Sequence, residues 1–134
     1  MNKTTTIKSL IFIILAGFYS CSTSVETEIS FQNLASNKVY VNFRAELIPV
    51  ESGQIVKITD LPKGSYEYDT IYEIPAGVTS AVAEGDVSGL ININAGTSVL
   101  VVYTSVLIEG TYTLSATLTT SDDLSTDDTN PTTP

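Results

Sequence analysis

The chain has 134 residues, with six Lys or Arg, fifteen Asp or Glu, no His and no Trp, and a formal net charge of −9. This length suits a single domain, and the acidity excludes the basic patches that nucleic acids and anionic headgroups require. Without His, the commonest general base, the Ser–His pair and the usual zinc ligands are missing. A glycosidase built on carboxylates alone is the remaining enzymatic alternative, but its sugar platforms usually include Trp. We therefore expect a non-enzymatic protein without a cofactor or a metal site.

Residues 1–20 have the order of a secretory signal. Lys3 and Lys8 precede the apolar run at residues 10–18, which is too short to span a bilayer as a helix. A small residue then precedes Cys21, the only Cys of the chain. This end of the signal resembles the lipobox of bacterial lipoproteins, in which such a Cys is lipidated and becomes the new N-terminus.

The lipoprotein resemblance implies that acyl chains on Cys21 attach the protein to the membrane, with residues 21–27 as a lipidated tether. Each buried CH₂ contributes about 0.8 kcal/mol, so several acyl chains attach a protein almost permanently. The alternatives are an ordinary cleaved signal with an incidental Cys and an uncleaved N-terminal anchor helix. Without residues 1–20, four basic and fifteen acidic side chains remain, a formal net charge of −11.

The acidic residues that follow Cys21 bear on localisation. In some Bacteroidota-like lipoproteins, an acidic cluster directly after the lipidated Cys marks export to the cell surface. Here Glu26 and Glu28 come later and are separated. We therefore expect a cell-envelope protein anchored by lipid to the outer membrane, on the periplasmic face rather than the cell surface.

Eight segments of the remaining chain have the character of strands. A period of two, with one buried and one exposed face, is typical of a strand in a sandwich. It is clearest in residues 38–47, with alternate residues on the predicted inner face: Val39, Val41, Phe43, Ala45 and Leu47. Residues 98–108 are apolar at nearly every position, which predicts a strand buried on both faces. The other segments are residues 28–34, 54–61, 65–74, 78–83, 87–94 and 111–118.

Turn residues separate these segments at near-regular intervals. The turn glycines are Gly53, Gly64, Gly77, Gly85, Gly96 and Gly110. No segment after Cys21 has a helical period. This spacing predicts an all-β fold, an antiparallel β-sandwich of about seven or eight strands over residues 28–120. In general architecture the pattern is similar to an immunoglobulin-like sandwich, without the Cys…Trp…Cys core of true immunoglobulin domains.

Residues 121–134 form an acidic tail with one large apolar residue, Leu124. Such a segment buries too little surface to offset the entropy lost on ordering, so we expect it to be disordered. Its paired aspartates, like the Glu84-Gly85-Asp86 segment, offer the oxygen ligands that Ca²⁺ takes, but neither has the spacing of an EF-hand loop. A solvated tail and a β-turn are the simpler interpretations.

Three tyrosines on one face of a predicted strand are the candidate binding surface. Tyr66, Tyr68 and Tyr72 share that face, whereas acidic residues occupy the other: Glu67, Asp69 and Glu73. Tyr offers a large, stiff and amphipathic contact to a partner. In the alternative interpretation, the rings fill the core, their hydroxyls reach its rim, and the acidic face is exposed to solvent.

Two functions follow from these features. The first is a small lipid-anchored binding module whose partner is an envelope protein or a glycan. The second is a structural or accessory subunit of a surface assembly in which chains share strands. Some Bacteroidota fimbrial subunits are lipoproteins with β-sandwich folds, and the chain is similar to them in those two respects. An open, hydrophobic sheet edge would favour shared strands, and charged or covered edges would favour a self-contained module.

Overall fold

The computed structural model describes residues 27–121, which contain β strands and turns but no helix. The predicted signal peptide, Cys21 and the acidic tail from residue 122 onward lie outside the described residues. Within that range there is no helix long and apolar enough to cross a membrane. The strands are β1 (Glu28–Asn33), β2 (Val39–Phe43), β3 (Glu46–Val50), β4 (Ile55–Thr59), β5 (Gly64–Tyr72), β6 (Ser80–Gly85), β7 (Ser88–Ile93), β8 (Ser98–Ile108) and β9 (Thr111–Thr120).

The strands form two sheets that enclose a shared core. One sheet has the order β4-β1-β8-β9-β6, and the other has the order β3-β2-β5-β7. The prediction of an all-β sandwich is confirmed, with nine strands in place of the expected seven or eight. The sheets are also not antiparallel throughout, because the β1–β8 and β6–β9 pairs are parallel.

The additional strand arises where the predicted segment 38–47 reverses direction. Arg44 and Ala45 have φ values of 54° and 61° and form a two-residue turn that joins β2 to β3. Such turns normally carry Asn or Gly, so these two residues gave no turn signal. The expectation that Ala45 and Leu47 point inward was therefore wrong. Leu47 pairs with Asn42 on the outer face and is 53% exposed.

The core is built from alternate residues of both sheets. The Phe31 ring of β1 lies 6.0 Å from that of Phe43 in β2 and 6.1 Å from that of Tyr68 in β5, measured between centroids. These contacts join the two sheets. The largest fully buried side chains are Tyr103, Tyr112, Phe31, Ile29, Ile91, Ile93, Leu114, Val39, Val41, Val50, Val99 and Val101.

The prediction that β8 is buried on both faces is wrong. In the first half of the strand one face is buried, and the other, with Leu100 and Val102, is half-buried. Val99, Val101 and Tyr103 are fully buried, but the last three apolar residues of the strand are 53–63% exposed: Val106, Leu107 and Ile108. Over this stretch β8 also loses one neighbouring strand, because β1 ends at Asn33 opposite Tyr103. Beyond that point, only β9 pairs with β8 among the described residues.

The parallel pairing of β1 with β8 places both ends of the described chain at one end of the sandwich. Glu28 pairs with Ser98, and the neighbouring Val99 pairs with Thr120 near the end of β9. The β8–β9 turn follows Ile108 and lies at the opposite end.

Two buried tyrosines differ in how their hydroxyls are satisfied, which gives a matched test of the core. The Tyr103 hydroxyl lies 2.8 Å from Thr70 Oγ1, whereas the buried Tyr112 hydroxyl has no hydrogen-bond partner in the described part of the chain. Tyr103→Phe should lower the free energy of unfolding by about 1–2 kcal/mol, because it leaves the Thr70 hydroxyl unpaired. Tyr112→Phe should be neutral or stabilising, since it removes an unsatisfied buried group.

Urea denaturation of the two tyrosine variants, followed by far-UV circular dichroism, measures this difference. Equal destabilisation by Tyr103→Phe and Tyr112→Phe would contradict the prediction and would mean that the Tyr112 hydroxyl has a partner.

Candidate functional site

The three candidate tyrosines lie on the inner side of β5, against the core. Tyr68 is 4% exposed, and Tyr66 and Tyr72 are half-buried. The ring centroids of Tyr66 and Phe43 are 5.6 Å apart, and those of Tyr72 and Tyr112 are 6.1 Å apart. The rings therefore contribute mainly to the packing of the sandwich, and a contact between them and a partner stays a prediction.

The hydroxyls of two of these tyrosines donate to backbone acceptors at the rim of the core. Tyr66 donates to the carbonyl oxygen of Pro62 at 2.6 Å, and Tyr68 donates to that of Asp86 at 2.5 Å. Burial, reinforced by the Asp86 carboxylate, raises the pKa of Tyr68 to about 12. This hydroxyl therefore remains a neutral donor above the pH at which an exposed tyrosine ionises, and its hydrogen bond joins β5 to the segment between β6 and β7.

A surface depression with a volume of about 960 Å³ runs along β5 and β7. On β5, the exposed residues that line the depression alternate with the inward-pointing tyrosines, because successive residues of a strand point to opposite faces. Glu67 pairs across the strands with Leu90, and Asp69 pairs with both Asn42 and Ser88. The depression is lined by Asn42, Arg44, Ala45, Ser65, Tyr66, Glu67, Tyr68, Asp69, Gly89 and Leu90.

Arg44 closes one side of this depression. It sits in the β2–β3 turn. Its Cζ lies 6.0 Å from the centroid of the Tyr66 ring, within the range of a cation–π contact. The depression therefore combines one cation, two carboxylates and the exposed apolar side chain of Leu90.

Strand β7 borders the depression and is an edge strand of its sheet. Exposed edges are usually protected by charged residues or by Pro. The other three edges of the two sheets follow this rule: β3 carries Glu46 and Pro49, β4 carries Lys57, and β6 carries Glu84. Strand β7, Ser88–Ile93, has neither a charged residue nor Pro. It is thus the one edge in the described region that carries no protection in its own sequence.

Charge is distributed unevenly around this edge. From Gly64 onward the sequence has ten acidic residues and no Lys or Arg. All four cations of the described domain lie between residues 38 and 63. Two of them are already paired, since Lys38 Nζ lies 2.8 Å from Glu51 Oε1 and Lys57 Nζ lies 3.7 Å from Glu28 Oε1. Strands β7 and β9 carry no charge themselves, and Arg44 borders the depression. The acidic residues of this part of the described chain lie on β5 and β6 or in the segments that follow β5, β6 and β8, and they form an anionic side of the sandwich: Glu67, Asp69, Glu73, Glu84, Asp86 and Glu109.

The Glu84-Gly85-Asp86 segment, weighed as a Ca²⁺ candidate, forms the corner between β6 and β7. Asp86 Oδ2 accepts a hydrogen bond from the Leu118 backbone N–H at 2.9 Å, and the Asp86 N–H donates to the Ala116 carbonyl at 2.9 Å. Residues 27–121 contain no group of three or more His, Cys, Asp or Glu side chains that could hold a metal ion. The corner thus has a structural role, in which Asp86 satisfies a backbone donor of β9.

No protein-family model, curated protein or solved structure matches this chain.

The surface around β7 was not predicted from the sequence. The alternation of residues 65–74 located both faces of β5, but the acidic face was interpreted as plain solvent-exposed surface. Two signals in the sequence pointed to it: Leu90 interrupts the polar outer face of β7, and cations are absent beyond Lys63. What this surface offers is hydrogen-bonding backbone, apolar area and negative charge.

Proposed function

We propose that the protein is a non-enzymatic binding module of the cell envelope, held at the membrane by acyl chains on Cys21, and that it binds a protein partner at β7. The observation that carries this proposal is the unprotected β7 edge beside the depression. Three edges of the same fold carry a charge or Pro, so the lack of both at β7 is best explained by a bound partner.

A lipid anchor at Cys21 would leave the β7 edge accessible to a partner. Both ends of the described chain lie at one end of the sandwich, so a tether from Cys21 meets the domain there. Strand β7 runs toward that same end, since only four residues join Ile93 to Ser98, which pairs with Glu28 at the start of β1. A partner at β7 would therefore approach from the side of the sandwich, parallel to the membrane.

A structural subunit that shares strands is the second candidate, and the same open edge favours it. The complete burial of the core favours the binding module instead. Domains that require a donated strand leave an apolar groove open, whereas here Ile29, Val41 and Leu114 are fully buried without one. The described sandwich covers its own core, so a strand added at β7 would extend a sheet that is already complete.

The anchor is tested by the intact mass of the protein purified from membranes, for the wild type and for Cys21→Ala. We expect the wild type to begin at Cys21 with added acyl mass, and Cys21→Ala to lose that mass and leave the membrane. A soluble wild-type protein with a free thiol would refute the anchor and move the search for a partner outside the cell.

The binding surface is tested in intact cells with a photo-crosslinking amino acid at Leu90. The matched control carries it at Ile55, which is also exposed and lies on the charged edge strand β4. We expect one saturable adduct of defined mass from position 90 and none from position 55. Identical adducts from both positions, or none from position 90, would refute a partner at β7.

A further inference from the structure

We infer that the partner presents an extended, positively charged peptide segment, which adds as a new strand beside β7. This inference rests on the proposed function and specifies the chemistry of the partner. It is carried by three features of the surface: the free backbone of the edge, the side chains next to it, and the sign of the surrounding charge.

The backbone of β7 can hold a short strand. Among the described residues β7 pairs only with β5, so the N–H and C=O groups on its other side have no strand partner. Its six residues, Ser88–Ile93, extend about 20 Å at a rise of about 3.3 Å per residue. This length accommodates a segment of similar size, whose affinity comes mainly from main-chain hydrogen bonds.

The side chains of β7 determine which residue types fit in a segment that pairs with it. Leu90 points outward and is 56% exposed, whereas Ile91 and Ile93 point into the core at 2% exposure each. An added strand lies about 4.8 Å from β7, so its outward side chains contact Leu90 directly. They also lie about 10 Å from β5, within reach of Glu67 and Asp69 for a long basic side chain. An alternation of apolar and basic residues fits this pattern.

Charge complementarity distinguishes between possible occupants. A second copy of this chain would bring the anionic side of one domain against that of another. The acidic tail from residue 122 onward, with four Asp and no cation, is unsuitable for the same reason. Opposite charge steers association and suppresses like-charged partners. A cationic segment of another protein is therefore the occupant that this surface favours.

The test uses the full-length protein in non-ionic detergent and a fluorescent peptide of alternating Lys and Val. Control peptides replace Lys by Glu, or carry N-methyl groups on alternate backbone amides. We expect saturable binding by fluorescence anisotropy, weakened at least about tenfold by either change, because one removes the charge and the other the main-chain hydrogen bonds. Binding should also weaken as salt rises from about 50 to about 300 mM, since screening shortens the Debye length.

Two protein variants locate the site. Leu90→Lys places a charge on β7 opposite Glu67 and should weaken peptide binding at least about tenfold. Ile55→Lys introduces the same charge on β4 and should leave binding within about twofold of the wild type. Equal effects of the two variants, or tolerance of N-methylation, would overturn strand addition at β7 and indicate general attraction between Lys and an acidic protein.

The remaining outcomes are also decisive. A concentration-dependent dimer in sedimentation experiments, abolished by Leu90→Lys, would overturn the peptide in favour of a second copy. If the peptide fails to bind while the photo-crosslink at Leu90 still captures a defined adduct, this inference falls and the proposed function stands. If both experiments fail, the proposed function falls with it.

Discussion

Replacing Asn33 with Ala is expected to lower the free energy of unfolding by about 3–5 kcal/mol, because it leaves several buried polar groups unpaired. Asn33 is fully buried. Its Nδ2 donates to the carbonyl oxygens of Asn37 at 2.8 Å and Val50 at 2.9 Å, and its Oδ1 accepts from the Ala35 N–H at 2.9 Å. The side chain thus joins the end of β1 to the following loop and to β3 in the opposite sheet.

The measurement for Asn33→Ala is urea denaturation followed by far-UV circular dichroism. Domains of about 100 residues are stabilised by about 5–15 kcal/mol in total, so the variant should be close to its unfolding threshold. Asn42→Ala is the matched control, since Asn42 is exposed on the outer face of β2, and it should change stability by less than about 0.5 kcal/mol. A loss below about 1 kcal/mol for Asn33→Ala would show that water replaces the amide at this site.

Gly85→Ala should have an effect of similar size, for a steric reason. Gly85 has a φ of +74°, and a Cβ added there would collide with the backbone carbonyl oxygen of Ala116. The left-handed conformation alone costs an L-residue about 1–2 kcal/mol, and relief of the clash requires β6 and β9 to separate. We expect a total loss of about 3 kcal/mol, which lowers the Tm of a domain of this size by about 15 °C.

Gly77→Ala separates the two contributions at Gly85. Gly77 has a φ of +81°, but an added Cβ there would meet nothing within 4 Å. Its variant should lose about 1 kcal/mol or less, because conformational strain is partly offset by the reduced entropy of the unfolded chain. Thermal unfolding of both variants gives the difference, which is the contribution of the Ala116 contact. Equal Tm values would contradict that contact.

The alternation of apolar residues predicted the inner faces of the strands because side-chain direction in a strand is a local property. Val39, Val41 and Phe43 were assigned inward, and all are buried. The pattern failed at Arg44 and Ala45, where the turn is imposed by the pairing of β2 with β3 and not by turn-forming residues. It also failed at Val106–Ile108, since whether an apolar residue is covered depends on what packs against it, and that is set by segments far away in the sequence.

The candidate site was harder to predict because it depends on strand order. Ser88–Ile93 reads as an ordinary strand, and only the arrangement β3-β2-β5-β7 makes it an edge. The role of Asn33 was equally hidden, since its acceptor Val50 lies in the other sheet. The tyrosines were identified correctly as sharing a face, but the sequence left open whether that face points to the core or to a partner.

The position of β1 in its sheet determines how the domain responds to mechanical load. A pull on Thr27 enters the sandwich through Glu28–Asn33, which is hydrogen-bonded to β4 on one side and to β8 on the other. Tension along this strand loads both ladders in shear, so many bonds share the force instead of breaking one after another. Forced unfolding is limited by the rate of crossing that barrier and not by equilibrium stability. A domain entered through an inner strand should therefore resist tension from its N-terminal tether better than its modest size suggests.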